Sequence, residues 1–110
     1  MGAWGKAPWD NDGATEWFDD VMDKSGLVLM VEAALSLDVE DHHEEVRAAA
    51  YVLTALGHVY IWPVHQLDAH LELAVHKLRQ IAAMEIYAGA GFTPVIERET
   101  AGLESRIQRK

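Results

Sequence analysis

Apolar side chains recur at three- and four-residue steps along most of the 110-residue chain, the repeat that lays them on one face of an α-helix. In the first such stretch Ala14, Trp17, Phe18, Val21 and Met22 share a face. Glu16, Asp19, Asp20 and Asp23 fall largely on the other. Asn11 or Asp12 supplies the N-cap, because a side-chain oxygen there accepts the free amides of the first turn. Lys24-Ser25-Gly26 ends this helix and opens the next. The second helix, about 26–37, is apolar nearly all round, from Leu27, Val28, Leu29, Met30 and Val31 to Ala33, Ala34, Leu35 and Leu37. A helix without a polar face must be covered on several sides, so it is expected at the centre of the bundle.

An acidic connection, Asp38 to Asp41, leads to a third helix at about 42–58, whose stripe is Val46, Ala49, Ala50, Leu53 and Leu56. The aromatic and β-branched run from His58 to Pro63 reads as a connection, with a short extended piece as the alternative. The fourth helix, about 64–88, is the longest, with Leu67, Leu71, Ala74, Val75, Leu78, Ile81 and Ala82 on its buried stripe. At that length it would measure about 37 Å, so it must bend or project beyond its neighbours. Gly89-Ala90-Gly91 ends it, and Thr93 as cap with Pro94 in the first turn opens a last helix striped by Ile96, Thr100, Leu103 and Ile107. The expected architecture is all-α: one domain, residues 1–110, built as a bundle of about five helices. An irregular Gly/Trp-rich arm, 1–11, packs on that bundle. The terminal segment 93–110 is either packed within the monomer or the seam of a homodimer. A compact chain of this length has a radius of gyration of roughly 13 Å.

Composition narrows the chemistry. There is no cysteine, which removes disulfides, thiol catalysis and thiolate metal sites together. The net charge of −9 argues against nucleic acid or an anionic membrane as partner. That charge is localised: residues 1–45 carry −10 and residues 46–110 carry +1. Acids on a solvated face account for this simply. The sharper reading is an acidic face that steers toward a basic protein. The first residues lack a signal-peptide core and Lys6 breaks the myristoylation pattern. The longest apolar run, Leu27 to Val31, is far too short to cross a bilayer, so a cytoplasmic protein is expected.

Six histidines call for a test of metal binding. No His-x-x-x-His or His-Glu-x-x-His occurs, and Glu40 to His43 is a single Glu-x-x-His where a di-iron bundle needs two. His65, Asp68, Glu72 and His76 do share a stripe of the long helix. His65 and His76 are about 16 Å apart along it, so Asp68, Glu72 and His76 remain as weak metal candidates. The polar face of an amphipathic helix gives the same pattern. The acids Asp38, Glu40, Asp41, Glu44 and Glu45 with His42 and His43 could hold a cation loosely, or complement a helix N-terminus. Asp10-Asn11-Asp12-Gly13 fails as a calcium loop because its first ligand would be Pro8, and it reads as a turn and cap. Glu32, alone among apolar neighbours, either reaches the rim or meets a base such as Arg47. No nucleophile elbow or phosphate-binding glycine loop is present.

The most specific feature is the opening Gly2-Ala3-Trp4-Gly5, followed by Trp9, Asn11-Asp12, Ala14 and Glu16-Trp17. It resembles the start of a family of small bacterial proteins known as domain of unknown function 4259, with Lys6 and Ala7 standing where that family carries Thr and Gly. The resemblance implies no established activity. Trp4, Trp9, Asn11, Asp12 and Trp17 are expected to be structural: aromatic plugs at an open end of the bundle, followed by a helix cap. An aromatic ligand pocket is the alternative.

The leading functional expectation is a non-enzymatic protein-binding module, immunity- or inhibitor-like. Its acidic face within residues 10–45 (Asp19, Asp20, Asp23, Asp38, Glu40, Asp41 and Glu44) would dock a basic partner. The alternative is a metal-binding protein or metal-dependent hydrolase using the His65/Asp68/Glu72/His76 face, with Glu32 as a further contributor. No cofactor is expected.

Overall fold

The computed structural model describes residues 5–108, and among them it contains helices and turns but no strand. Six helices follow one another: α1 (Asp12–Ser25), α2 (Leu27–Leu35), α3 (Val39–Leu56), α4 (Val64–Ala82), α5 (Glu85–Ala88) and α6 (Thr93–Glu104). The all-α bundle is therefore as expected, with one helix more than the pattern suggested. Trp4 of the opening motif lies outside the described residues. No helix among the described residues is long and apolar enough to cross a membrane.

Local chemistry explains most boundaries. Asn11 caps α1, its Oδ1 accepting from the Ala14 amide at 2.8 Å. Gly26 ends α1 at φ +71, a left-handed conformation that favours glycine, and α2 starts immediately after it. Asp38 caps α3 through the Asp41 amide, so the helix starts at Val39, three residues before the expected start, and takes in most of the expected acidic connection. A kink at His42, φ −133, explains why the periodicity only becomes regular from there. The run 58–63 is a connection, as its first reading has it, and it carries Ile61 and Trp62 inward.

Four expectations are corrected. The centre of the bundle is α4, which packs against α2, α3, α5 and α6. Helix α2 is only nine residues long and leaves Leu29 and Met30 each 71% exposed. Second, the long helix stops at Ala82 and resumes as α5. Continued at about 100° per residue, it would turn Glu85 onto the core face and Tyr87 away from it. The break at Ala83-Met84 instead lets Tyr87 be buried. Third, Thr93 is the first helical residue of α6 and not its cap. Its hydroxyl donates to the Ala82 carbonyl at 3.3 Å, so it holds α6 to the end of α4. Fourth, Trp17 is 62% exposed against Phe18, because α1 rests on the short α2, which covers only the Met22 side of its stripe.

The apolar strip of the terminal helix is used within the chain: Ile96, Thr100 and Leu103 are buried against α4, and Ile107 packs beside them. Arg79–Glu104 adds an ion pair at 2.7 Å across the same seam. A homodimer would therefore need another surface. Stacking the α1–α2 pair beyond the α3–α4–α6 unit also lengthens the molecule, to 53 × 25 × 25 Å and a radius of gyration of 15.3 Å.

One polar chain runs through this core. Among the described residues Trp62 is the largest fully buried side chain, and its indole N–H donates to His70 Nδ1 at 3.0 Å. Indole has only a donor, so Nδ1 must accept and the ring's hydrogen lies on Nε2, which donates to Glu32 Oε2 at 3.1 Å. Glu32 thus reaches the rim, but its base is His70. Arg47 pairs instead with Glu99. At the other end of α3, the Arg106 guanidinium donates to the carbonyls of Leu53 and Thr54, at 2.9 Å each, and of Gly57 at 3.3 Å, covering orphan acceptors of the helix terminus. Gly57 has to be glycine here, because a Cβ would lie 2.5 Å from the Leu53 carbonyl.

Two outcomes follow from these contacts. His70→Phe strands the Trp62 N–H in the core and should cost about 1–3 kcal/mol in urea unfolding. Trp62→Phe combined with it should cost much less than the sum of the two single changes. Burial, and next the Arg106 charge, push His58 below the ordinary imidazole range, against a raising contact from the Thr54 backbone. Between its folded value and the ordinary one near 6.5, the unfolded state binds more protons, so His58 withdraws stability as pH falls through that window. Arg106→Gln should move the His58 titration upward in NMR and shrink that acid loss.

Candidate functional site

The acidic residues of the first half fall into two groups carried by different helices. Asp19, Asp20 and Asp23 are exposed on α1, where Lys24 meets Asp20 at 3.1 Å. Asp38, Glu40, Asp41 and Glu44 belong to the first turns of α3, where acids complement the positive helix end. Asp38 is engaged as the cap, and Glu44 opens onto a cleft described below.

Beside the α1 acids lies a groove of about 550 Å³ between α1, α2 and the start of α4. Buried Met22 and Val28 and exposed Leu29 and Val64 line it with apolar surface, and Asp19 and Asp23 stand among its lining with His65 and Gln66. It continues onto the outward face of α2, where Leu29, Met30 and Ala33 are all exposed at helical spacing. Large apolar side chains grouped in solvent mark interaction surfaces more often than chance exposure does.

A second, half-open cleft of about 590 Å³ lies between α3, α5 and α6. Arg47 crosses it and is held bidentately by Glu99, Nε at 3.0 Å and Nη2 at 2.6 Å. The same guanidinium lies 5.9 Å from the Tyr87 ring and 5.8 Å from that of Phe92, within cation–π range. Tyr87 is positioned in turn by His43, whose Nδ1 is 2.7 Å from the phenol oxygen. The α3 wall presents Glu44, Ala48 and Tyr51 along one face. Tyr51 is 67% exposed.

The metal candidates are not drawn into a cluster. Asp68 accepts the Gln108 amide at 3.2 Å, while His65, Glu72 and His76 are exposed, the two histidines next to Gln66 and Gln80. Among the described residues no group of three or more His, Asp or Glu is arranged to hold a metal ion. Asp10 accepts the Ala7 amide at 3.0 Å in the opening turn, as a turn residue would. Trp9 stacks on His58 at 6.5 Å with planes 9° apart, placing it against the α3–α4 connection.

Sequence reasoning missed His70 and the Arg47–Glu99–Tyr87–Phe92 group. Arg47 and Glu99 are 52 residues apart, so no local spacing announces them. The signal that existed was on α3 alone, where Glu40, Glu44, Arg47 and Tyr51 follow steps of four and three opposite the buried stripe. On the same helix His42 is held above the ordinary imidazole range, chiefly by its 2.9 Å hydrogen bond to Glu45 and then by the charges of Glu45, Asp41 and Asp38. The stabilisation this gives is present below the ordinary value and lost as pH rises through the folded one. Glu45→Gln should bring the His42 NMR titration back down.

Comparison with known proteins gives one match. The model of a family described as Domain of unknown function (DUF4259) matches residues 2–84. No curated protein and no solved structure matches. The matched segment runs from the opening motif to the break after α4. It includes Gly5, where a side chain would collide with the Asp10 carboxylate that closes the turn, and the Asn11 cap. By that match over most of its length, the chain belongs to the DUF4259 family.

Proposed function

We propose that this protein is a non-enzymatic binding module, immunity- or inhibitor-like in its mode of action, that docks a basic protein partner on the outward face of α2 and the acidic groove beside it. The observation that carries this reading is the conjunction of Leu29, Met30 and Ala33, exposed on one helix face, with Asp19 and Asp23 on the adjoining groove. An apolar centre with a charged rim is the anatomy of a protein interface. Its carboxylates favour a basic partner over a second copy of the chain, which would oppose acid to acid.

Immobilised protein should retain a basic protein from lysate of the cells that encode it, and lose it at high salt as the rim charges are screened. Leu29→Ser with Met30→Ser should weaken that complex about tenfold or more, as loss of central apolar contacts does. Asp19→Asn with Asp23→Asn should slow association and flatten its salt dependence. Retention that ignores both variant pairs, or light scattering that finds the α2 face closed in a stable homodimer, would refute the reading.

A further inference from the structure

We infer that the cleft between α3, α5 and α6 is a binding site for the guanidinium group of an arginine side chain presented by a peptide. The cleft already holds one guanidinium of the chain's own, and that resident group shows how its walls treat such a cation. Arg47 is held bidentately by the Glu99 carboxylate at 2.6 and 3.0 Å and lies 5.8–5.9 Å from the Tyr87 and Phe92 rings. The same two kinds of group, a carboxylate and an aromatic ring, recur along the α3 wall. The Glu44 carboxylate makes no hydrogen bond or ion pair among the described residues, and the exposed Tyr51 ring meets no other ring or cation there.

Helical spacing supplies the room. Glu44 and Tyr51 lie two turns apart on one face, about 10 Å along the axis. Between them on that face stands Ala48, exposed and too small to fill the space. A planar guanidinium laid over Ala48 can offer paired N–H donors to Glu44 and a face to Tyr51, with Phe92 on the opposite wall. The charge balance agrees: two carboxylates, Glu44 and Glu99, stand against the single Arg47, leaving the cleft at −1. Arg47 does not repel the incoming cation strongly, because Glu99 neutralises it bidentately. A compact ammonium would satisfy Glu44 but could not lie flat on the ring at the same time, which favours arginine over lysine.

This site is independent of the α2 face, since none of its residues lines that groove. The test is a two-dimensional NMR titration of the full chain at low salt with N-acetyl-arginine amide, its neutral isostere N-acetyl-citrulline amide, and N-acetyl-lysine amide. A single side chain should bind with an affinity on the order of millimolar. Saturable shifts are expected at the amides of Glu44, Ala48, Tyr51 and Phe92, and not at Leu29 or Met30. Citrulline should bind about threefold to fivefold more weakly, with lysine between the two. Glu44→Gln and Tyr51→Ala, both at exposed positions, should each weaken arginine binding by a similar factor while the rest of the spectrum stays in place. No saturable shift, an equal response to citrulline, or indifference to Glu44→Gln would overturn the inference. Saturable shifts at Leu29 and Met30 in place of those at Glu44 and Tyr51 would also overturn it, by putting the basic side chain on the α2 face.

Discussion

The hydrogen bond from the Trp62 indole to His70 is the constraint on which the packing turns. An indole only 1% exposed brings a large apolar surface into the core, but it also brings an N–H that needs an acceptor there. Meeting that need fixes His70 on α4, and the ring's second nitrogen then reaches Glu32 on α2. One polar chain thereby ties the α3–α4 connection, the central helix and the short second helix into a single register. An apolar residue at either position would pack but would not specify that register.

The interruption after Ala82 matters for a related reason. A straight helix would have carried Tyr87 to the outside, and the cleft would have lost its inner wall. Breaking the helix at Ala83-Met84 re-phases the chain by a short turn, so that Tyr87 meets His43 and Phe92 while Thr93 ties α6 back to the Ala82 carbonyl. Glu99 then arrives opposite Arg47. Two surfaces with different chemistry result: a groove lined by apolar and acidic side chains at the α1–α2 end, and an aromatic cleft with paired and unpaired charges between α3 and α6.

The part of the opening motif within the described residues has a physical account in this structure. Gly5 leaves space for the Asp10 carboxylate, which closes the opening turn on the Ala7 amide. Asn11 follows as the cap of α1, and Trp9 is laid on His58. These are requirements of chain entry into the bundle. They explain why the motif was readable without saying anything about a ligand. The charge asymmetry was equally readable, and the fold divides it between α1, where the acids line a groove, and α3, where Asp38 caps the helix and Glu44 faces the cleft.

By itself the sequence determined the helical class, the buried stripes of α3 and α4, a cap for α1 at Asn11 or Asp12, the glycine stop at Gly26 and the connection around Pro63. All of these follow from contacts within a few residues: helical periodicity, side-chain capping and backbone freedom. It could not place α2, because a nonapeptide apolar at every position but Glu32 asks to be covered without saying by what. It could not separate Trp62, buried, from Trp17, exposed, because that depends on which helix lies opposite. The tertiary structure alone brought Glu99 to Arg47, His70 to Trp62 and Tyr87 to His43, pairs between eight and 52 residues apart. Where the chain bends decides such meetings, and the bend after Ala82, which lets Tyr87 be buried, falls where Ala83-Met84 offers no breaker residue.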